Sequence, residues 1–259
     1  MTTPNAPRTA RQRARAELTR EIAEEARRQL AAVGANGLSL RAVAKELGMV
    51  SSALYRYYPS RDDLLTALII DAYNAIGEAA ESAIAGAAPG IGADREARTD
   101  GGPGRTQWLA ACDAIRGWAL AHPHEYALIY GSPVPGYRAP EATIGPAARV
   151  PLAFVGVLAA ATEAGEFDGV PGAHAGVHAG RDGAEDALTA GLADQAAVLA
   201  AVLASPVAPD VLVRAVTAWT QLFGMISFEL FGQFVGSFEP ADALFAYATA
   251  QLAAFVGLP

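Results

Sequence analysis

Residues 40–59 read LRAVAKELGMVSSALYRYYP, two short segments of helical character with a glycine between them. Two helices that cross at a tight turn need a small residue at the crossing, which Ala44 supplies. They also need a residue that tolerates positive φ in the turn, which Gly48 supplies. Val43 and Leu54 are spaced to close a small core between the two segments. The stretch therefore predicts a helix-turn-helix, with an ordinary helical hairpin as the alternative.

A helix is predicted on each side of this pair. The helix before it begins near Glu17, ends at Gly34 and the Asn36-Gly37 pair, and has one apolar face made of Ile22, Ala26, Leu30 and Val33. Ser39 is placed to cap the second helix, and Pro59 ends the third. Residues 60–63, Ser-Arg-Asp-Asp, form a capping-box pattern that opens a fourth helix reaching the early eighties.

The remainder of the chain also shows helical periodicity and no convincing strand. Segments rich in glycine and proline separate the predicted helices, which cover residues 105–121, 124–130, 142–164, 188–204, 209–235 and 240–256. An apolar fraction of 52% with 18% charged residues is typical of a folded protein with a large interior. The fold class is therefore all-α.

Composition excludes several classes of protein. Apolar stretches at residues 150–161 and 219–234 are interrupted by polar residues or glycine, so no membrane span is predicted. The N-terminal arginines precede no apolar segment of a signal peptide, and the single cysteine, Cys112, fits a reducing cytoplasm.

The net charge of −8 hides an asymmetry along the chain. Residues 1–61 hold eleven basic and five acidic side chains, a net charge of +6, and the remainder carries −14. A basic head on an acidic body is typical of a polyanion-binding module joined to another domain, with a solvated basic tail as the alternative.

Residues 15–70 resemble the TetR family of bacterial repressors. The likeness is carried by the turn Gly48-Met49-Val50-Ser51, by residues 53–58, Ala-Leu-Tyr-Arg-Tyr-Tyr, and by residues 59–65, Pro-Ser-Arg-Asp-Asp-Leu-Leu. Ala53, Tyr57 and Arg61 depart from the residues that are common in the family, which leaves the operator sequence open. The resemblance implies an all-α homodimer with a three-helix helix-turn-helix domain (16–62) and a helical effector-binding and dimerisation domain (63–259). Residues 1–15, which are polar and show no apolar period, are predicted to form a disordered basic arm.

Nine side chains are predicted to contact double-stranded DNA. The third helix would enter the major groove, with Tyr55 directed towards phosphate, while cationic side chains and helix N-termini nearby would bind the backbone. The set is Ser39, Arg41, Lys45, Ser51, Ser52, Ala53, Tyr55, Tyr57 and Arg61. Tyr58 is expected in the core instead.

Two further sites are predicted in the C-terminal region. The last two long helices carry more apolar surface than one face needs, which favours pairing of two copies through Val213, Val216, Leu230, Phe234, Leu244, Tyr247 and Phe255. A largely apolar effector pocket is predicted from Trp108, Cys112, Tyr126, Tyr130, Phe154, Trp219 and Phe223. An intramolecular core remains the alternative for both sets. Residues 131–137 and 219–224 also resemble a C-terminal subtype of actinobacterial members.

No catalytic or cofactor site is predicted. His174 and His178 have the spacing of helical metal ligands, but they lie in a glycine-rich segment that favours a solvated loop. The leading hypothesis is a cytoplasmic, ligand-responsive repressor that binds a near-palindromic operator as a homodimer and is released by a small hydrophobic effector. The competing hypothesis is a helical protein that binds or sequesters a small molecule without reading DNA.

Overall fold

The computed structural model describes residues 10–88, 102–167 and 190–258, and every regular element in these ranges is helical. Ten α-helices follow one another, with a short 3₁₀ turn at Glu141–Thr143 between the sixth and seventh. They are α1 (Ala10–Gly37), α2 (Leu40–Glu46), α3 (Ser51–Leu54), α4 (Arg61–Gly86), α5 (Pro103–Ala121), α6 (Pro123–Tyr130), α7 (Ile144–Glu163), α8 (Ala190–Leu203), α9 (Pro209–Leu230) and α10 (Asp242–Val256). The predicted all-α class is confirmed.

The chain divides into two compact units. Unit 1 consists of Met1–Tyr73 and His122–Pro146, and unit 2 consists of Asn74–Ala121 and Ala147–Pro259. Helix α4 contributes residues to both units. Unit 1 holds α1, α2, α3 and α6, so the predicted helix-turn-helix region includes a later helix that the sequence pattern did not assign to it.

The core of unit 1 forms as the spacing of apolar residues predicts. Ile22, Val43, Ala44 and Leu54 are fully buried in one cluster. Gly48 has φ +64°, and the amide of Met49 donates to the carbonyl of Ala44 over 2.8 Å, which closes the turn. A residue with a side chain would be strained at that φ. The glycine between the two segments is therefore required by the turn.

Three details of unit 1 differ from prediction. Helix α1 begins at Ala10, so residues 10–15 belong to it and not to a disordered arm; residues 1–9 lie outside the described ranges. Alanine and arginine have high helix propensity, which an apolar pattern does not register. Ser39 occupies the N-cap position of α2 without donating or accepting a side-chain capping bond. Val33 is 57% exposed, because Gly34, at φ +68°, breaks the helical geometry beside it.

Unit 2 is organised around α9, which packs against α5, α8 and α10. Trp108 of α5 stacks on Phe154 of α7 with ring centroids 4.5 Å apart. The guanidinium of Arg116 donates to both carboxylate oxygens of Glu229 at the end of α9, at 2.6 and 2.8 Å, and to Asp242 of α10 at 3.1 Å. The hydrogen bond to Glu229 raises the pKa of Arg116 above its usual range. This one charged side chain therefore ties three helices together.

A second arginine joins α7 to α4 within unit 2. Arg149 donates to the carboxylate of Glu81 and to both the carbonyl and the side-chain oxygen of Asn74. A Cβ at Gly77 would lie 2.7 Å from the Cβ of Arg149, so the two helices approach this closely only because position 77 has no side chain.

Two helical segments, Glu141–Glu163 and Pro209–Leu230, have the length and mean hydropathy of a membrane span. This corrects the prediction that polar interruptions exclude such segments. In both, part of the apolar surface is buried inside the protein, including Phe154 and Ile226. Arg214 and Glu229 of α9 are each paired with an oppositely charged side chain of this chain. These are features of helices that pack in a protein interior.

Candidate nucleic-acid interface and apolar cavity

The outer surface of α2 and α3 is polar and carries the predicted DNA-binding side chains. Arg41 and Lys45 are exposed one turn apart on α2, and Ser52 is exposed on α3. Tyr55, which follows α3 directly, is 42% exposed. Ser39, Ser51 and Ala53 are partly buried. Helix α3 is four residues long, and hydrogen bonds of the helical and 3₁₀ type continue the turn to Tyr58.

Cations without an acidic partner are concentrated on this part of unit 1. Arg20, Arg27, Arg28 and Arg61 each form an ion pair. Within the described residues up to 61, the basic side chains that form none are Arg11, Arg13, Arg15, Arg41, Lys45 and Arg56. Their positive charge is not neutralised within the protein and is available to a polyanion.

A groove of about 370 Å³ lies between the first turns of α1 and the α3 region. Arg11, Arg15 and Arg56 line it, together with Ala53 and Tyr57. The guanidinium of Arg15 lies over the ring of Tyr57, 5.3 Å from its centroid. Tyr57 therefore packs partly against the core and beneath Arg15, and its predicted contact with base edges stays a prediction.

Arg61 has a structural role, and its predicted contact with phosphate stays a prediction. Its Nη2 donates to the carbonyl oxygen of Ala35 over 2.6 Å, and its Nε donates to that of Leu38 over 3.2 Å. The guanidinium thus holds the α1–α2 connection, and the side chain is 32% exposed. These bonds use two of the five guanidinium N–H donors. Beside it, half of the predicted capping box is observed: the amide of Asp63 donates to Ser60 Oγ over 3.1 Å, and Ser60 Oγ donates to the Asp63 carboxylate over 2.7 Å.

Tyr58 packs against the core of unit 1, as predicted. Burial raises the pKa of its hydroxyl, and the charge of Asp71 adds to the rise. Asp71 accepts a hydrogen bond from Arg27 over 2.8 Å, and Arg27 also donates to Glu125 of α6 over 3.1 Å. This link fastens α6 to α1 within unit 1.

Unit 2 contains an apolar cavity of about 320 Å³ between α7, α8 and α9. Every described side chain that lines it is Ala, Pro, Leu, Val, Phe or Trp, and none of these ionises. Phe154 and Trp219 are the two members of the predicted effector set that line it. Leu152 and Val216, both 48% exposed, stand in its wall, so the cavity is open to solvent. Its size is within the range of small-molecule pockets.

The other predicted effector residues do not line this cavity. Trp108 and Cys112 are fully buried in α5, and Phe223 packs beside Trp219 with ring centroids 5.6 Å apart. Tyr126 and Tyr130 belong to unit 1, where their rings lie 5.2 Å apart. Periodicity identified these residues as buried but did not distinguish a core position from a cavity wall.

In unit 2, α9 and α10 carry several exposed apolar side chains. Val216, Tyr247 and Phe255, which were predicted to pair two copies, are 48%, 66% and 37% exposed. Val213, Leu230, Phe234 and Leu244 are partly buried. Four further side chains of this region, which were not predicted from the sequence, are exposed: Phe228, Phe231, Val235 and Phe238. After Asp242 the chain contains no charged residue. A patch of this kind is unusual on a monomer.

No cluster of three or more His, Cys, Asp or Glu side chains that could hold a metal occurs among the described residues. His174 and His178 lie outside those residues. Burial raises the pKa of the Cys112 thiol, so this side chain is protonated at neutral pH.

Family models match two parts of the chain. One, described as bacterial regulatory proteins of the tetR family, matches residues 19–68. The other, described as the tetracyclin repressor-like C-terminal domain, matches residues 108–252, more than half of the chain. The first match covers the helix-turn-helix of unit 1.

Known proteins show the same likeness. The HTH-type transcriptional regulator Rv1816 of Mycobacterium tuberculosis (strain ATCC 25618 / H37Rv) is 44% identical over 157 residues, which are 60% of this chain and 62% of that protein. The chain thus spans about 62% of the length of the curated relatives it matches. The crystal structure of SCO4313, designated a regulatory protein, is 34% identical with a TM-score of 0.67, and the match covers 95% of this chain and all of that one.

A structure from Rhodococcus sp. RHA1, a protein of unknown function, shares the fold at 21% identity with a TM-score of 0.60 and coverage of 99% of both chains. The fold, the helix-turn-helix with its unpaired cations, and the family models covering both parts of the chain lead to one conclusion. The chain belongs to the TetR family of bacterial regulatory proteins.

Proposed function

We propose that this protein is a cytoplasmic transcriptional repressor that binds a near-palindromic operator as a homodimer and releases it when a small, largely hydrophobic effector binds. The observation that carries the DNA-binding part is the group of cations without acidic partners on α1, α2 and the α3 region, around an exposed Tyr55. Phosphate contacts from such side chains position a helix-turn-helix, and α3 then meets base edges in the major groove.

Two copies would be joined through the exposed apolar surface of α9 and α10. In a two-fold dimer, the two α3 helices would meet successive major grooves about 34–36 Å apart. The apolar cavity between α7, α8 and α9 supports the effector part of the proposal, because its lining excludes charged molecules. Effector binding would favour a conformation with lower affinity for DNA.

Removing the positive charge from α2 tests the DNA-binding part. We expect Arg41→Gln and Lys45→Gln each to weaken binding to operator and to random duplex alike. Each should reduce the slope of log affinity against log salt by roughly 0.9, because each removes one phosphate contact. Fluorescence anisotropy with the duplex upstream of the protein's own gene, between about 50 and 200 mM salt, measures both effects.

Arg28→Gln is the matched control. Arg28 is also an exposed arginine, but it pairs with Glu25 on α1, so its loss should leave the salt slope unchanged. Wild-type slopes in both α2 variants would refute the assigned phosphate contacts.

A second function is favoured by one observation, the short α3 with Ala53 at its centre, which offers little hydrogen-bonding chemistry to bases. A protein that only binds or sequesters a small molecule would shift no duplex in a gel at low salt, whereas the proposed repressor would retard its own upstream region.

A further inference from the structure

The groove between the first turns of α1 and the α3 region carries cations on both of its walls. Arg11 and Arg15 lie one turn apart on α1, and Arg56 lies on the facing wall. In the described part of the chain none of the three forms an ion pair, and no described acidic side chain lines the groove. Residues 1–9, which precede α1, contain no acidic residue either. These parts of the chain therefore supply no counter-ion to the three guanidinium groups.

The groove holds these cations close together on a folded framework. The guanidinium of Arg15 lies 5.3 Å from the ring centroid of Tyr57, so a side chain of α1 contacts the facing wall. Leu18 and Met49 also line the groove, and both pack against the core of unit 1. Like charges that face one groove repel each other, and an anion between them removes that repulsion. Guanidinium groups match the geometry of phosphate, so the groove has the charge and the donors of a phosphate site.

The position of the groove indicates that this phosphate belongs to DNA. Ala53 lines the groove, and it is also one of the α3 residues that are predicted to face base edges. A helix that enters the major groove lies between the two phosphate backbones. Arg41 and Lys45 of α2 already have predicted phosphate contacts, whereas α1 has none. An anion bound beside Ala53 would thus be a phosphate of a backbone that borders the same major groove.

We propose that the groove holds one DNA phosphate between Arg11 of α1 and Arg56 of the facing wall, so that α1 contacts DNA together with α2 and α3. Neither arginine belongs to the nine side chains that were predicted from the sequence. The inference rests on the proposed function only in taking duplex DNA as the ligand. A phosphate contact does not depend on base sequence, so it applies to random duplex as well as to an operator.

The salt dependence of binding reports how many phosphates the protein neutralises, at roughly 0.9 in the slope of log affinity against log salt for each. Arg11→Gln or Arg56→Gln alone should weaken binding to random duplex by roughly three- to tenfold and change the slope little, because the other guanidinium still neutralises the phosphate. The double variant should lower the slope by roughly 0.9. Fluorescence anisotropy between about 50 and 200 mM salt measures these slopes. A fall of roughly 1.8 would mean two separate phosphates, and no fall would mean none, so either result would overturn the shared contact.

Arg13 provides the matched control. It is an exposed arginine of α1 that forms no ion pair in the described part of the chain, but it does not line the groove. Adding Arg56→Gln to Arg13→Gln should not lower the slope further, because Arg11 still holds the phosphate. Adding Arg56→Gln to Arg11→Gln should lower it. Equal falls in the two pairs would show a general effect of lost charge and would overturn the site. Arginine and glutamine have similar helix propensity, and circular dichroism checks that α1 stays helical.

A free phosphorylated molecule is the other source of the same chemistry. Calorimetric titration of the DNA-free full chain with pyrophosphate should detect no binding at micromolar concentration, because an exposed pair of cations holds a small anion weakly. Micromolar binding that is lost in the double variant, with unchanged DNA slopes, would assign the groove to a small molecule and overturn the DNA contact. If the slope falls as expected but the wild type does not prefer its own upstream region to random duplex, the proposed repressor is refuted and the groove contact stands.

Discussion

At the scale of single residues, Arg61 illustrates how a side chain can serve the fold where a functional role was expected. Sequence analysis assigned its charge to phosphate because it stands at the start of α4. In the structure its fork of donors spans the carbonyl oxygens of Ala35 and Leu38, next to the break at Gly34. No sequence pattern predicts that these carbonyl groups face Arg61, which lies more than twenty residues later in the chain.

Removing Arg61 should therefore lower stability more than DNA affinity. We expect Arg61→Gln to reduce the free energy of unfolding by roughly 1–3 kcal/mol, since two charge-assisted hydrogen bonds are lost. Arg61→Lys should restore only part of it, because an ammonium group does not match the geometry of the guanidinium fork. Urea denaturation followed by circular dichroism measures both.

Arg41→Gln is the control for Arg61, because it makes the same change of charge at an exposed position without a partner. Its stability should stay within about 0.5 kcal/mol of the wild type. If Arg61→Gln proved as stable as the wild type and lowered the salt slope of DNA binding, the original phosphate assignment would be restored.

For other residues too, some structural roles could be predicted from the sequence and others could not. Gly48 could be predicted because a turn of that length needs a residue with positive φ. The burial of Cys112 and Tyr126 was also predictable, but their separation from the cavity was not, because apolar spacing shows which face is inside and not where side chains leave a void. Trp219 was identified as a pocket residue, and the unpaired state of its indole N–H required coordinates.

At the scale of elements, helices with a strong apolar period were predicted close to their observed limits. The fifth predicted helix, residues 105–121, corresponds to α5 at Pro103–Ala121. The apolar period failed to predict residues 10–15 of α1, whose helicity depends on propensity. It also failed to predict the end of α9 at Leu230, which Gly232 follows with φ +76°. The place of α6 in unit 1 was not predicted, because its packing against α1 and its Arg27–Glu125 pair join residues far apart in the chain.

Helix α7 links two features of unit 2. Pro151 and Phe154 line the cavity, and Arg149, one turn earlier, holds α4 through Glu81 and Asn74. A ligand that shifts α7 would also move Arg149 and so change its hydrogen bonds to α4. We expect this contact to contribute to the response to effector.

The Glu81–Arg149 pair makes that contact sensitive to acid. Its hydrogen bond to Arg149 lowers the pKa of Glu81 from the ordinary 4.5, so the pair stabilises the fold above that pH and loses its effect as the pH falls through the lowered pKa. Glu81→Gln should cost roughly 0.5 kcal/mol near pH 7, a small value because the carboxylate is partly exposed. The difference from the wild type should shrink as the pH goes from about 5 to about 3, measured by urea midpoints.

Glu78→Gln provides the comparison on the same helix. Glu78 is exposed and forms no hydrogen bond with Arg149 in the described part of the chain. Its loss should have little effect at either pH. A Glu81→Gln cost that persists unchanged at low pH would point to packing and not to the ion pair.

At the scale of the whole molecule, charge and apolar surface are distributed unevenly. Among the described residues, most cations that form no ion pair lie in unit 1, and the exposed aromatic side chains of α9, α10 and the segment between them lie in unit 2. Sequence analysis predicted this division from charge counts and apolar excess.

The apolar surface of unit 2 predicts self-association. Phe228→Glu or Tyr247→Glu places a charge where the side chain is 54% or 66% exposed, so the fold should survive while pairing of two copies is lost. Sedimentation velocity at micromolar concentration should show a dimer for the wild type and a monomer for both variants.

Val33→Glu is the control for these variants, since Val33 is similarly exposed but lies in unit 1. This variant should remain dimeric. A monomeric wild type over the same concentrations would contradict the proposed homodimer.

The side-chain-free position at Gly77 sets a limit on how the protein can be recombined with its relatives. A chimaera that takes α4 from one regulator and α7 from another brings together two helix surfaces that were not selected for each other. If α7 came from this protein and α4 from a relative with a side chain at position 77, the Cβ at position 77 would clash with Arg149. In a chimaera, the junction between the two regulators should therefore lie before Asn74. Residues 74–81 of α4 and helix α7 then come from the same protein.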